Sequence, residues 1–334
     1  MTRRNWTIAI GAAVAVVLVA GLSVWLLVGG SSENNNGTGP STTPSAPTSA
    51  APTSVPGNLV PKSGVTFGAS AGGNFSQAGR VEAVSKLQTS LGVNISIVHT
   101  FRQFTDPIGT VSDLKFIADH KILLISWAGT DTIKMGAGDE DAIIAQRARE
   151  VAALKVPVFF EYRWEMDRPN LASVVHSGPD YIKAWDRVRS VFRAQKVTNA
   201  VFVWCPQASG FESGRSQAYY PGDAQVDWIC ADLYSPTNKS IQSFASLAAP
   251  FLKWADPHNK PIMFGEFGAA ATWGSTKRAS WISDITPVLQ AHPLIKALIY
   301  YNSDAGEARY SLSDDPRALD ALAAVAKKFG AKAI

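Results

Sequence analysis

The sequence predicts an α/β chain whose folded part is a (β/α)8 TIM barrel, preceded by an N-terminal membrane anchor and a disordered linker. Three observations carry this expectation. Strand-like runs rich in Val, Ile, Phe and Tyr alternate with helix-like stretches from residue 62 to the end. Eight such units in about 270 residues match the size of a closed barrel. A doubly wound open sheet, the competing architecture, would use fewer strands and place a glycine-rich phosphate turn after the first.

The N-terminal elements come first. Arg3 and Arg4 precede an uncharged, mostly apolar run over residues 6–28. As a helix at roughly 1.5 Å per residue it would rise about 34 Å, enough to cross a hydrocarbon core of about 30 Å. The run ends in Val28-Gly29-Gly30-Ser31-Ser32, a poor small-residue cleavage site, so residues 1–30 read as an uncleaved anchor in preference to a signal peptide. The basic flank stays inside, which places everything after Gly30 outside the cell membrane; a cleaved signal would secrete it instead. More than half of residues 31–61 are Ser, Thr or Pro, and Glu33 is the sole charge. Such a stretch cannot bury enough apolar surface to offset its ordering entropy, so it reads as a linker. The barrel domain is expected over residues 62–334.

Its strands are expected at 65–70, 94–99, 122–127, 157–163, 200–205, 226–234, 261–266 and 296–302. Helical patterns cover 76–91, 139–154, 179–195, 241–254, 277–291 and 316–329, and Pro179 and Pro316 stand at helix starts, where a missing amide is harmless. Cys205 and Cys230 fall on neighbouring strands; bridging needs matched registers, so two buried thiols are the preferred reading.

Composition excludes several functions. Lys plus Arg number 31 against 27 acids, a scattered surplus that gives no nucleic-acid footprint. The five histidines form neither HExxH nor HxH, so no metal site is expected. No cofactor is implied, and the sequence sets no oligomeric state.

A barrel places its chemistry at the C-terminal ends of its strands. The residues closing the runs are Trp127, Arg163 to Asp167, Trp204, Asp232 to Tyr234, Glu266 and Tyr300 to Asn302. Glu165 closes the fourth run and Glu266 the seventh, each after apolar residues. These strands stand nearly opposite in an eight-strand ring, so the two carboxyls can converge across its mouth. A pair about 5–5.5 Å apart suits retaining glycoside hydrolysis, with one group as nucleophile and the other as acid/base. Aromatic faces would stack on sugar rings, which suits Trp127, Trp204, Tyr234 and Tyr300. Taken singly, Trp127 and Trp204 also read as core residues, and Arg163 reads as an ion-pair partner for Glu161 or Glu165. Trp185, Trp254 and Trp281 lie inside helices and read as packing.

At these residues the chain resembles glycoside hydrolase family 26, the retaining β-mannanase family. The patches are Arg163-Trp164-Glu165-Met166-Asp167, Tyr219 to Asp223 running on through Asp227 to Tyr234, and Lys260 to Gly268; Val203-Trp204-Cys205-Pro206 is similar as well. The resemblance implies Glu165 as acid/base, Glu266 as nucleophile, Tyr234 as hydrogen-bond donor to the nucleophile, and Trp204 near the sugar, with Arg163 and Trp164 also in the substrate site. It implies a β-linked polysaccharide substrate, foremost β-1,4-mannan, with xylan, mixed-linkage glucan or the cell's own envelope polysaccharide as alternatives. Two departures stand out. Trp164 occupies the family's His position and Asp167 its Asn position, which weakens the mannose expectation. No separate carbohydrate-binding module is evident.

Two other functions compete. Gly68-Ala69-Ser70-Ala71-Gly72 fits a serine-hydrolase elbow, but it lies on the first strand and Gly73-Asn74 follows where a helix should start. A non-catalytic glycan-binding barrel would use the same tether and aromatic rim.

Overall fold

Every strand of a (β/α)8 barrel has two buried faces, one towards the barrel axis and one towards the surrounding helices, so parity along the strand decides where a side chain points. The computed structural model describes residues 58–70, 76–236, 242–304 and 308–331. The order is β1 (Thr66–Ser70), α1 (Gln77–Leu91), β2 (Ile97–Arg102), α2 (Val111–Ala118), β3 (Ile122–Trp127), α3 (Thr132–Ala137), α4 (Asp141–Ala153) and β4 (Val158–Tyr162). Then come α5 (Ala172–Val175), α6 (Gly178–Ala194), β5 (Ala200–Trp204), β6 (Trp228–Tyr234), α7 (Phe244–Ala255) and β7 (Ile262–Gly268). The series ends with α8 (Ser275–Ser283), α9 (Ile285–Ala291), β8 (Ile295–Tyr301) and α10 (Pro316–Phe329). All strands run parallel, each pairs with the next, and β8 closes on β1.

The axis-facing layer holds Ile97, Leu124, Phe159, Val201, Val203, Trp228, Met263 and Ile299. The neighbouring residues, such as Val98, Ile125, Phe160, Phe202 and Leu298, join the larger cluster between strands and helices. Leu59 belongs to the inner layer, and the Trp228 indole donates to the Asn58 carbonyl at 2.7 Å. The chain is therefore packed against the barrel from residue 58, a few positions earlier than the expected linker end at 61. The expected anchor over 6–28 and most of the linker lie outside the described residues. Among those described, no helix is long and apolar enough to cross a membrane.

Three local features differ from expectation for identifiable reasons. β2 starts at Ile97 because Asn94 is engaged by side-chain bonds to Ser96 and Lys121. The stretch 277–291 forms two helices, since Pro287 has no amide to carry the first across Asp284. α2 was not among the expected helices; Thr110 and Asp113 start it with a capping box.

The cysteines also require correction. Val203 pairs with Trp228 and Trp204 with Ile229, so the register brings Cys205 opposite Cys230, with Cα atoms 4.3 Å apart and a disulfide between them. The two buried thiols of the sequence reading are one bridge across β5 and β6.

Candidate active site

Strict alternation along β7 would turn Glu266 outward, because Met263 faces the axis and Phe264 the helices. The β6–β7 ladder shifts by one residue between Ala231 and Asp232, so that Asp232 pairs with Glu266 while Phe267 returns to the outer cluster. This bulge turns Glu266 into the barrel mouth. Gly265 permits it: a Cβ there would lie 2.6 Å from Cys230 Sγ and 2.9 Å from Cys205 Sγ.

Glu165 reaches the mouth by another route. It lies beyond β4 in a turn where Arg163 and Glu165 both have left-handed backbone, φ 53° and 48°. Such conformations persist only where the surroundings over-determine them. Here the Arg163 amide donates to the Trp127 carbonyl and the Glu165 amide to the Cys205 carbonyl, both at 2.8 Å. Asp167 fastens the same turn to the loop after β5. Its carboxylate accepts from the Gln207 amide at 3.0 Å, from Ser216 Oγ at 2.7 Å and from Arg215 Nε at 3.3 Å. The Glu165 carboxylate then accepts from Arg168 Nη1 at 2.6 Å and from Gln207 Nε2 at 3.1 Å.

Across the mouth, the Tyr234 hydroxyl donates to Glu266 Oε2. Burial holds the Glu266 carboxyl well above the usual carboxylate range, and the charge of Glu165 adds to that effect; the Tyr234 hydrogen bond opposes it. Asp232 is likewise held well above its ordinary value, by burial and then by Glu266 and Glu161. Burial also pushes the Tyr234 phenol up, which keeps it a proton donor.

Beneath Glu266 lies a polar layer. His99 Nε2 is 2.5 Å from Ser126 Oγ, which is hydrogen-bonded to Glu161 Oε2. His99 Nδ1 stands 3.8 Å from Glu266 Oε1. Burial lowers the imidazole to about 3 and raises Glu161 to about 8. The expected pairing of Arg163 with Glu161 or Glu165 is not made. Arg163 Nη2 donates to the Thr130 carbonyl, Glu161 meets Ser126, and Arg168 takes Glu165.

Of the expected site residues, Glu165, Glu266, Tyr234 and Trp164 gather at the mouth. Trp127, Trp204 and Tyr300 do not. Each is fully buried and belongs to the outer cluster. The Trp127 indole donates to the Phe104 carbonyl, that of Trp204 to the Tyr219 carbonyl, and the Tyr300 hydroxyl to the Tyr310 carbonyl. Parity is the reason, since their strand neighbours Ser126, Cys205 and Tyr301 take the inward positions. The aromatic arc instead runs from Trp164 to Phe101 (5.2 Å between centroids), Phe101 to Tyr301 (6.5 Å) and Tyr301 to Tyr234 (5.8 Å). The Tyr310 ring lies tilted against Tyr234, with centroids 4.7 Å apart. Phe101, Tyr310, His99 and Gln207 lay outside the sequence reading. A strand extended to Arg102 with alternating faces would have exposed the first and third.

Among the described residues, Cys205, Cys230 and Asp232 lie close enough to share an ion, but the sulfurs are bonded to each other and offer no thiolate. Ser70, buried at the end of β1, has no hydroxyl hydrogen bond to a histidine among the described residues.

The fold and site define a (β/α)8 barrel with two glutamates at its C-terminal mouth. Comparison with known proteins finds a family match over part of the chain. Residues 121–255 match the model described as Glycosyl hydrolase family 26, so the resemblance carried by the motifs within that stretch is found by the family model too. The chain is 25% identical over 279 residues to Endoglucanase H of Acetivibrio thermocellus, covering 78% of this chain and 30% of that protein. It is 25% identical over 132 residues to Beta-1,3-xylanase TXYA of a Vibrio species, covering 39% of this chain and 27% of the relative. The chain thus spans less than a third of either protein's length. A GH26 β-mannanase structure from Bacteroides ovatus superposes with a TM-score of 0.60 at 17% identity, over 80% of this chain and 89% of that one, a likeness of fold.

Proposed function

We propose that the chain is a retaining glycoside hydrolase acting on a β-linked polysaccharide, with β-1,4-mannan as the leading substrate. The observation that carries this reading is the placement of Glu165 and Glu266 beyond β4 and on β7, each held by its own donors, with Glu165 the foremost charge acting on Glu266.

In this reading Glu266 attacks the anomeric carbon while Glu165 gives its proton to the leaving oxygen. The Tyr234 hydroxyl supports the ionised nucleophile and holds its rotamer. Once Glu266 is esterified, its charge is gone, and Glu165 can take a proton from the water that opens the ester. Trp164, Phe101, Tyr301 and Tyr310 offer partly exposed ring faces for the apolar sides of sugars. Arg163, held against the Thr130 carbonyl, supports the turn that carries Glu165. The mannan preference draws on the family motifs and on the names of the structural neighbours. The curated relatives are named for glucan and β-1,3-xylan activity, so both polymers belong in the test. We further propose export through residues 6–28, with the linker holding the barrel outside the membrane.

The test incubates the 334-residue chain with mannan, glucomannan, β-1,4-xylan, β-1,3-xylan and mixed-linkage glucan and measures released oligosaccharides. One polymer should be cut, and Glu165→Gln and Glu266→Gln should each lose at least about a hundredfold in rate. Cutting that survives both substitutions would overturn the assignment. Binding without cutting, unchanged by Glu266→Ala, would favour the glycan-binding barrel.

A further inference from the structure

The mouth accounts for Glu165 and Glu266 but leaves a third glutamate unused. Glu161 is buried on β4, directly paired in register with Ser126 of β3. Its Oε2 is bonded to Ser126 and lies 3.6 Å from His99 Nε2. His99 Nε2 meets Ser126 Oγ at 2.5 Å, while His99 Nδ1 and Glu266 Oε1 face each other at 3.8 Å. Both of these last atoms are buried without a hydrogen-bond partner, as is Glu161 Oε1. Two orphaned polar atoms facing one another are costly unless a proton lies between them. A gap of that size in a substrate-free site closes with a small side-chain shift.

We infer that Glu161 is a positioning residue that stores the nucleophile's proton, acting on Glu266 through a buried relay of Ser126 and His99.

The relay has two arrangements of equal total charge. In the first, the Glu161 carboxyl donates to Ser126 Oγ and the Ser126 hydroxyl donates to His99 Nε2. The imidazole proton is then on Nδ1, where it faces an ionised Glu266. In the second, every proton has moved one place: Ser126 donates to an ionised Glu161, His99 Nε2–H donates to Ser126, and the bare Nδ1 faces a protonated Glu266. No proton enters or leaves, and no imidazolium forms. Only the first arrangement presents an ionised nucleophile.

The surroundings act on both ends of the relay. Burial penalises the charged form of Glu161, the Ser126 hydrogen bond opposes this, and the Glu165 charge adds to the burial, so Glu161 keeps its proton at neutral pH. Burial also keeps His99 neutral, which restricts the ring to a choice of tautomer. The remaining groups facing the relay are the Gly265 backbone at the imidazole and Tyr234, Arg168 and Glu165 around Glu266. Asp232 lies beside Glu266 and feels the charges of both Glu161 and Glu266. At Glu266, burial and then the Glu165 charge favour the neutral form, while the Tyr234 hydrogen bond and Arg168 favour the ionised form that the first arrangement needs.

The name "nucleophile" for Glu266 rests on the proposed function, whereas the tautomer of His99 does not. The test is therefore spectroscopic. The full chain is labelled with 15N-histidine, and the His99 signals are assigned as those lost in His99→Gln. The wild-type ring should carry its proton on Nδ1 between pH 5 and 7. As the pH rises through about 8, Glu161 ionises and Ser126 turns its hydroxyl from Nε2 to the carboxylate, so the Nε2 signal should shift without an imidazolium signal. Glu161→Gln, whose amide donates at every pH, should hold the Nδ1–H form throughout. Ser126→Ala should abolish the pH-linked shift. An Nε2–H tautomer in the wild type at pH 6, an imidazolium, or a pH-linked Nε2 shift that survives in Glu161→Gln would overturn the relay. The wild-type spectra decide the matter even if a variant misfolds. A relay that passes while no polysaccharide is cut leaves the relay standing and removes the enzymatic reading. Cutting with the wrong tautomer does the reverse.

Discussion

Tyr234 donates its phenolic hydrogen to Glu266 from the neighbouring strand, and this is the one side-chain hydrogen bond Glu266 receives among the described residues. It opposes the burial and the Glu165 charge that push the glutamate towards its neutral form. Tyr234→Phe keeps the ring and removes the donor. A hydrogen bond to a charged group contributes about 1.5–3 kcal/mol, so kcat should fall roughly ten- to a hundredfold. The acidic limb of the rate profile should also move to higher pH, because less of Glu266 is ionised at a given pH. An unchanged profile would show that the phenol does not tune the nucleophile.

Gln207 reaches Glu165 from the loop after β5, and its own amide is tied to Asp167. The same loop is pinned by Gly210, where a Cβ would lie 2.4 Å from Asp167 Oδ2 and 2.1 Å from Ser216 Oγ. Gln207→Ala should therefore lower kcat by about tenfold with little change in folding stability, since the bond to Glu165 and a long one from Arg215 are lost at a half-buried site. Gly210→Ala should act through the fold, costing about 1–3 kcal/mol and lowering the melting temperature. Chemical denaturation of the two variants beside their kinetics separates these effects.

The barrel was legible because its signals are local: eight apolar runs, proline helix starts and spacings that suit βα units. Both glutamates were legible for the same reason, as each ends an apolar run. What escaped was parity. Trp127, Trp204 and Tyr300 end their strands, yet each stands one residue from an inward position, and a one-residue step moves a side chain to the opposite face. Glu266 escapes that rule through the ladder shift at Asp232, which no run of apolar letters reveals. His99 and Glu161 were readable only by pairing β2, β3 and β4 in register. That pairing is long-range information, and so was the match of Cys205 with Cys230.

The disulfide and the bulge form one unit, because Gly265 leaves room for both sulfurs. The bridge closes a loop of sequence separation 25, for which constraint of the unfolded chain gives about 3–4 kcal/mol. Replacing both cysteines by alanine should lower the melting temperature by about ten degrees. Gly265→Ala should be worse for activity than for stability. Any shift that relieves its contact with the sulfurs moves the adjacent Glu266, so kcat should drop more than about tenfold. A Gly265→Ala enzyme with full rate would show that the bulge tolerates a side chain.

The polar layer also sets how stability varies with pH. Glu161 has an ordinary value of 4.5 and is raised to about 8 in the fold. Between those values the folded chain keeps a proton that the unfolded chain has released. The contribution is thus fully present below pH 4.5 and is lost as the pH rises through about 8. His99 acts on the other side, being lowered from 6.5 to about 3 by burial. Below pH 6.5 the unfolded chain gains a proton that the folded chain refuses, so stability falls as the pH drops towards 3. Glu161→Gln cannot ionise, so its melting temperature should gain on the wild type from pH 5 to pH 9, by about 2–4 °C or more. His99→Gln should flatten the acid side and leave the alkaline side unchanged. A Glu161→Gln difference that is constant with pH would mean that Glu161 is not protonated in the fold, and the alkaline weakness would then belong to Asp232 or Glu266.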